Sequence, residues 1–124
     1  MTEEYTASKP IYLQIADRII REIVRKELAL GDKLPSVREM AVQSGVNPNT
    51  IQRTYSELER MDIVETRRGQ GTFVTEKEEV LTELNEKVQR EVIESFIRSM
   101  KELGLTKNQM IQGVEKYLDR RGEE

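Results

Sequence analysis

The chain has 124 residues, 35% of them charged and 5% aromatic, a size that fits one domain or a small domain with an appendage. It contains no cysteine and no histidine, which excludes a disulfide framework, a thiolate or imidazole metal site, and catalysis by a cysteine nucleophile or a histidine base. The net charge of −3 argues weakly against binding to nucleic acid. However, residues 1–75 carry 11 basic and 11 acidic side chains, whereas residues 76–124 carry 9 basic and 12 acidic ones. The acidic excess therefore lies in the C-terminal part.

The N-terminal segment MTEEYTASKP has no basic region followed by an apolar run, and no stretch approaches membrane-spanning length. We therefore expect a cytoplasmic protein.

Pro10 suits the first turn of a helix, because the N–H groups of that turn form no hydrogen bond within the helix and the N–H that proline lacks is not needed there. Apolar residues then recur at three- and four-residue spacing and predict a first helix: Ile15, Ile19, Ile20, Ile23 and Val24. Gly31 breaks this pattern.

The next segment predicts two helices joined by a short turn. Ser36 and Glu39 form a capping box, in which the serine caps the helix and the glutamate reaches back. Ser44-Gly45 is typical of a turn, and Asn47-Pro48 of a new helix start that runs to about Met61. This is the helix-turn-helix arrangement, although an αα-hairpin in any small helical protein would give a similar pattern.

The segment ETRRGQGTFVT, residues 65–75, allows two interpretations. A dinucleotide-binding loop would need a third glycine and a following helix, and a phosphate-binding P-loop would need Gly-Lys-Ser/Thr; neither is present. β-Branched and aromatic residues flank the glycines instead, which predicts a hairpin with strands near residues 63–67 and 72–75. Arg67 and Arg68 would lie at its tip, where they could reach a DNA backbone or minor groove. The alternative is a plain surface hairpin with solvated arginines.

Helical periodicity returns after residue 76 and predicts two more helices. An apolar stripe runs along the first of them: Leu81, Leu84, Val88, Val92, Phe96, Met100 and Leu103. Gly104 suits the end of that helix, and Thr106 with Gln109 forms a capping box for the last one. Two helices alone can bury little apolar surface, so the stripe predicts a symmetric dimer interface, with folding back onto the rest of the chain as the alternative. We divide the chain into a DNA-binding domain, residues 1–75, and a two-helix dimerisation tail, residues 76–124.

The segment KLPSVREMAVQSGVNPNTIQRTYSELERMDIVETRRGQGTFV, residues 33–74, resembles the winged-helix DNA-binding domain of the GntR family of bacterial transcription regulators. With the leading helix, the resemblance covers about residues 8–75. It is specific because it combines Leu-Pro-Ser-x-Arg-Glu, the turn at Gly45 and the Arg-Gly-x-Gly-Thr-Phe-Val wing. The short tail resembles the YtrA-type subfamily, whose members lack the large effector domain of most relatives.

The resemblance implies site residues position by position. Arg38, in the first turn of the second helix, matches an arginine that contacts phosphate and base, and Arg68 and Gly69 match the wing tip that enters the minor groove. The polar residues that match the start of the recognition helix are Asn47, Asn49 and Thr50. Many relatives have an arginine where this chain has Gln52, with Arg53 beside it. Both should face the major groove, and whether Gln52 reads a base, for example adenine, stays open.

The predicted fold class is therefore mostly α (α+β): a winged helix-turn-helix with a small β-hairpin wing, followed by a two-helix C-terminal dimerisation tail. The predicted function is a sequence-specific transcriptional regulator of the GntR type, a homodimeric repressor that binds a palindromic double-stranded DNA operator. It is not an enzyme, uses no cofactor and has no membrane partner. A small-molecule effector is allowed as a further partner, but the sequence identifies neither the effector nor a requirement for one.

Two rival functions make different demands on the sequence. A winged-helix adaptor for another protein would need an apolar outer face on the third helix, but the residues there are polar: Asn49, Gln52, Arg53 and Ser56. A nucleotide-dependent enzyme conflicts with the broken glycine motif and with the absence of histidine and cysteine.

Overall fold

The computed structural model describes residues 5–122. Its helices and strands, in chain order, are α1 (Ile11–Val24), α2 (Val37–Ser44), α3 (Pro48–Arg60), β1 (Val64–Arg67), β2 (Gly71–Val74), α4 (Glu78–Glu102) and α5 (Lys107–Arg121). Helices with one antiparallel hairpin confirm the predicted fold class, a winged helix-turn-helix followed by two helices. Within residues 5–122, no helix is both long and apolar enough to cross a membrane.

Local capping fixes where the helices begin and end. At α2 the backbone N–H of Glu39 donates to the Ser36 hydroxyl over 3.1 Å, and the N–H of Ser36 donates to the Glu39 carboxylate over 3.0 Å. Thr106 and Gln109 form the same reciprocal pair at α5. Gly45 ends α2 with a φ of 69°, a left-handed conformation that glycine adopts without strain. Both predicted capping boxes and the glycine turn are thus confirmed.

Some element boundaries differ from the expectation by one residue. Pro10 precedes α1 as its N-cap instead of lying in its first turn, and its carbonyl accepts hydrogen bonds from the N–H groups of Leu13 and Gln14. The strands are Val64–Arg67 and Gly71–Val74, so β1 begins one residue later than predicted and β2 both begins and ends one residue earlier.

The core of the winged helix lies between α1, α2, α3 and the hairpin. α1 and α2 both pack against α3, and β1 continues from it. The side chains at the centre are almost fully excluded from solvent: Ile15, Ile19, Leu34, Ile51, Leu58, Ile63 and Val74. Because the buried residues of α3 recur at three- and four-residue spacing, the opposite face of this helix stays in solvent.

A short segment before α2 extends the hairpin on the β2 side. β1 and β2 pair antiparallel, with Val64 opposite Val74 and Arg67 opposite Gly71. Lys33 forms a β-bridge with Phe73, and the N–H of Leu34 donates to the carbonyl of Thr72 over 2.8 Å. The wing is therefore attached along one edge to the segment that leads into α2. No pattern in the sequence indicates this pairing.

Contacts within the chain divide it into two compact units, Met1–Asn85 and Glu86–Glu124. The first unit holds the winged helix and the first two turns of α4, including Leu84, which is buried. The second unit holds the remainder of α4 together with α5. A functional division after residue 75 stays a prediction.

Candidate nucleic-acid interface

The first turn of α3 presents polar side chains to solvent. Asn47 caps the helix, since its side-chain oxygen accepts a hydrogen bond from the N–H of Asn49 over 2.8 Å. Pro48 is the first helical residue, as predicted. Asn49 is exposed and Thr50 half-buried. The capping role of Asn47 is thus established, and its amide N–H₂ group remains available as a hydrogen-bond donor.

Gln52 and Arg53 extend this polar surface by one turn, but they differ in what they contact. Gln52 is exposed. The Arg53 guanidinium is also exposed but lies over the ring of Tyr12 on α1, 4.1 Å from its centroid. Such a cation–π contact orients an arginine while its outer N–H groups stay free to donate. Arg53 is therefore positioned from α1, a relation that helical periodicity within α3 does not reveal.

Two partly buried hydrogen bonds fix α3 against its neighbours. The Tyr55 hydroxyl donates to the carbonyl of Pro35 over 2.7 Å, and the Thr54 hydroxyl donates to the carbonyl of Tyr12 over 2.9 Å. Burial raises the pKa of Tyr55 well above its usual value, so its hydroxyl stays protonated and remains a donor at any physiological pH. These bonds hold the exposed face of α3 in a defined orientation to α1 and α2.

Arg38 lies in the first turn of α2 and is exposed. Among the described residues it makes no salt bridge, although Glu39 is its neighbour in sequence. It lines a shallow depression between α2 and the start of α3, together with Val42, Val46, Asn47 and Pro48. The structure thus brings Arg38 and Asn47 to one place on the surface, and the guanidinium is free to bind an anion there.

The two wing arginines adjoin the hairpin turn, as expected, but have different surroundings. Arg67 is the last residue of β1, and its guanidinium lies 2.9 Å from a Glu65 oxygen, 3.3 Å from a Glu76 oxygen and 4.1 Å from the centroid of the Phe73 ring. Arg68 follows in the turn and is exposed. Its neighbour Gly69 is also exposed, and a Cβ added there would meet no atom within 4 Å.

A groove lies between the wing and the helix-turn-helix. It is lined by residues before and at the start of α2, by two residues of α3 and by the wing: Lys33, Leu34, Pro35, Ser36, Val37, Glu39, Gln52, Tyr55, Thr66, Arg67, Arg68, Gly69, Gln70, Gly71 and Thr72. The structure therefore brings Gln52 together with Arg68 and Gly69, three residues that sequence reasoning named separately. Lys33 belongs to the same groove and was not among them.

Residues 11–74, slightly more than half of the chain, match the family model described as "Bacterial regulatory proteins, gntR family". The chain belongs to the GntR family. Its DNA-binding domain is the winged helix, and the family and its members are transcriptional regulators, which confirms that this GntR protein is not an enzyme.

Two relatives in Bacillus subtilis (strain 168) show how far the GntR similarity extends. The HTH-type transcriptional regulator YhcF is 63% identical over 119 residues, which are 96% of this chain and 98% of YhcF. The HTH-type transcriptional repressor YtrA is 47% identical over 70 residues, which are 56% of this chain and 54% of YtrA. The resemblance to YtrA is thus confirmed for about half of each protein, and the match to YhcF includes the two-helix tail.

Two solved GntR-family structures are similar in fold. A GntR family transcriptional regulator from Listeria monocytogenes has a TM-score of 0.86 and 44% identity, and the match covers 90% of this chain and 98% of that one. The DNA-binding domain of AraR in complex with operator ORX1 has a TM-score of 0.54 and 25% identity, and the match covers 60% of this chain and 93% of that domain. The second structure shows a DNA-bound domain of this fold.

Proposed function

We propose that this GntR-family regulator is a homodimeric repressor that binds a palindromic operator in the bacterial cytoplasm. The observation that carries the proposal is the groove that Gln52, on the exposed polar face of α3, lines together with the wing cation Arg68. A helix with polar residues at its N-terminus fits the major groove, while an adjacent basic hairpin reaches the backbone or minor groove. The AraR domain, whose structure contains its operator, has the same fold.

Each site residue has a specific role in this proposal. Asn49, Thr50, Gln52 and Arg53 face base edges in the major groove, where a glutamine amide matches the paired donor and acceptor of adenine. Arg38 and Asn47, at the junction of α2 and α3, bind phosphate. Arg68 and Gly69 follow the backbone into the minor groove. Arg67 has its charge engaged by two carboxylates and positions the wing instead of contacting DNA.

The exposed apolar residues of the second unit support a dimer. Within this unit Val92 is 62% exposed and Phe96 38% exposed on α4, and Ile111 and Val114 are exposed on α5. Val92 and Phe96 are one helical turn apart and share a face of α4, and large apolar side chains exposed together mark interaction surfaces. A second copy of the chain supplies an identical, self-complementary face around a twofold axis. Two recognition helices related by that axis would read an operator with inverted half-sites.

Repression is proposed by comparison with YtrA, which is named a repressor and shares 47% identity over the winged helix. The physical basis is simple occupancy, since a dimer bound at a promoter excludes polymerase from the same DNA. The proposed location is the cytoplasm because the relatives are bacterial regulators and the operator is chromosomal DNA.

Selection of duplexes from a random pool by the purified full-length chain tests this function. We expect enrichment of an inverted repeat whose half-site centres lie about one helical turn, ~34 Å, apart. Arg38→Ala should lose affinity for the enriched duplex, because it removes a phosphate ligand. Arg60→Ala is the matched control, since Arg60 pairs with Glu57 further along α3, and it should bind as the wild type does. If no sequence is enriched, the proposed function is wrong.

A further inference from the structure

Lys33 is held at the edge of the wing by backbone hydrogen bonds. Its bridge with Phe73 and the bond from Leu34 to Thr72 attach this segment along β2. The Lys33 side chain then passes across Gly71: a Cβ at that glycine would lie 3.0 Å from Cε of Lys33 and 3.7 Å from its Nζ. The ammonium therefore lies beside the wing turn, in space that any side chain at residue 71 would take.

The Lys33 ammonium has no salt-bridge partner among the described residues. Lys33 is exposed and forms no salt bridge within 4.0 Å of any residue in the range 5–122. Glu39 is the acidic residue that shares its groove, but the carboxylate of Glu39 accepts from the Ser36 N–H in the capping box. That bond, with a smaller contribution from the Lys33 ammonium, holds the pKa of Glu39 below its usual value.

Two other residues frame the position of Lys33. Gln52, on the recognition helix, and Arg68, in the wing turn, line the same groove. A DNA strand that meets both residues must run through this groove, and its phosphates carry one negative charge per nucleotide. An ammonium on a flexible stem suits such a phosphate, because it donates in any direction and needs no planar partner.

We propose that Lys33 is a DNA-contacting residue, whose ammonium binds a backbone phosphate of the strand lying between the recognition helix and the wing. The assignment rests on the proposed DNA binding. Gly71 contributes by leaving the space through which the lysine side chain reaches the wing. The segment before α2 thereby becomes a third contacting element, besides the helix-turn-helix and the wing turn.

The test measures the salt dependence of binding to the duplex enriched by the selection described above. Full-length wild type, Lys33→Gln, Lys33→Arg and Lys26→Gln are titrated by fluorescence anisotropy over a series of salt concentrations. Loss of one phosphate contact reduces the slope of log K against log salt by about 0.9 per bound chain. Lys33→Gln should show this reduction and bind about eightfold more weakly per chain at 0.1 M salt, which follows from the same slope.

Two variants separate a contact from a general charge effect. Lys33→Arg keeps the cation and should keep the wild-type slope. Lys26→Gln loses the same charge at an exposed position outside the groove, and it should also keep the wild-type slope. An unchanged slope for Lys33→Gln, with wild-type binding intact, would overturn the role of Lys33 but leave the proposed function standing. Equal losses for Lys33→Gln and Lys26→Gln would likewise overturn it, because the effect would then be net charge alone.

Discussion

Replacing Val92 by aspartate should dissociate the proposed dimer. Val92 is 62% exposed on the apolar face of the second unit, and full burial of a valine side chain stabilises by about 1.5–3 kcal/mol. Covering its exposed part is therefore worth about 1–2 kcal/mol per chain. A twofold interface loses this amount twice, about 2–4 kcal/mol, which raises the dissociation constant roughly 30- to 700-fold. Two carboxylates held in an apolar interface add a further penalty.

Sedimentation velocity over a range of protein concentrations measures this change directly. The control is Lys87→Ala, which alters the net charge by the same amount at an exposed position of α4 and lies on the side of the helix opposite to Val92. The control should sediment as the wild type does. If Val92→Asp remains dimeric with the wild-type dissociation constant, the apolar face of the tail is not the dimer interface.

Three further predictions concern the winged helix. Arg68→Ala should weaken binding to all DNA sequences and reduce the slope of log K against log salt by about 0.9 per chain. Gln52→Ala should instead lose about 1–3 kcal/mol of binding free energy at particular base pairs and keep the wild-type slope. Identical slopes and sequence profiles for the two variants would contradict these roles. Tyr55→Phe should lower the free energy of unfolding by about 1–2 kcal/mol in urea titrations, because it removes the hydrogen bond to Pro35, and an unchanged urea midpoint would count against this bond. The pKa of Glu39 is lowered in the folded state, so its stabilising effect is present above pH 4.5 and is lost as the pH falls through the folded pKa. The free energy of unfolding of Glu39→Gln should therefore fall less steeply with decreasing pH than that of the wild type. Parallel profiles of unfolding free energy against pH would refute this.

The parts of the fold that depend on neighbouring residues were predictable from the sequence. The capping boxes at Ser36 and Thr106 and the Asn47-Pro48 start define helix ends through bonds that span three residues or fewer. Helical periodicity identified the buried face of α3, and therefore also its exposed face. Candidate contacts such as Asn49 and Gln52 followed from that exposed face and from the family resemblance.

Relations between distant segments were not predictable in the same way. The bridge between Lys33 and Phe73 joins residues 40 positions apart, and nothing in a single strand pattern specifies such a partner. Arg67 and Arg68 are adjacent in sequence but differ in environment, because Glu76 and Phe73 reach only the first of them. Arg53 rests on Tyr12, a residue of another helix. Each case depends on tertiary packing.

The central claim is that two chains place two recognition helices on inverted half-sites of one operator. The most direct measurement titrates the full-length chain against the enriched duplex and against variants in which the half-sites are moved apart by about half a helical turn, ~5 base pairs. We predict two chains per duplex and a large loss of affinity on the half-turn insertion, because the second site then lies on the opposite face of the DNA. Equal affinity at both spacings, or full affinity with one chain per duplex, would contradict the account.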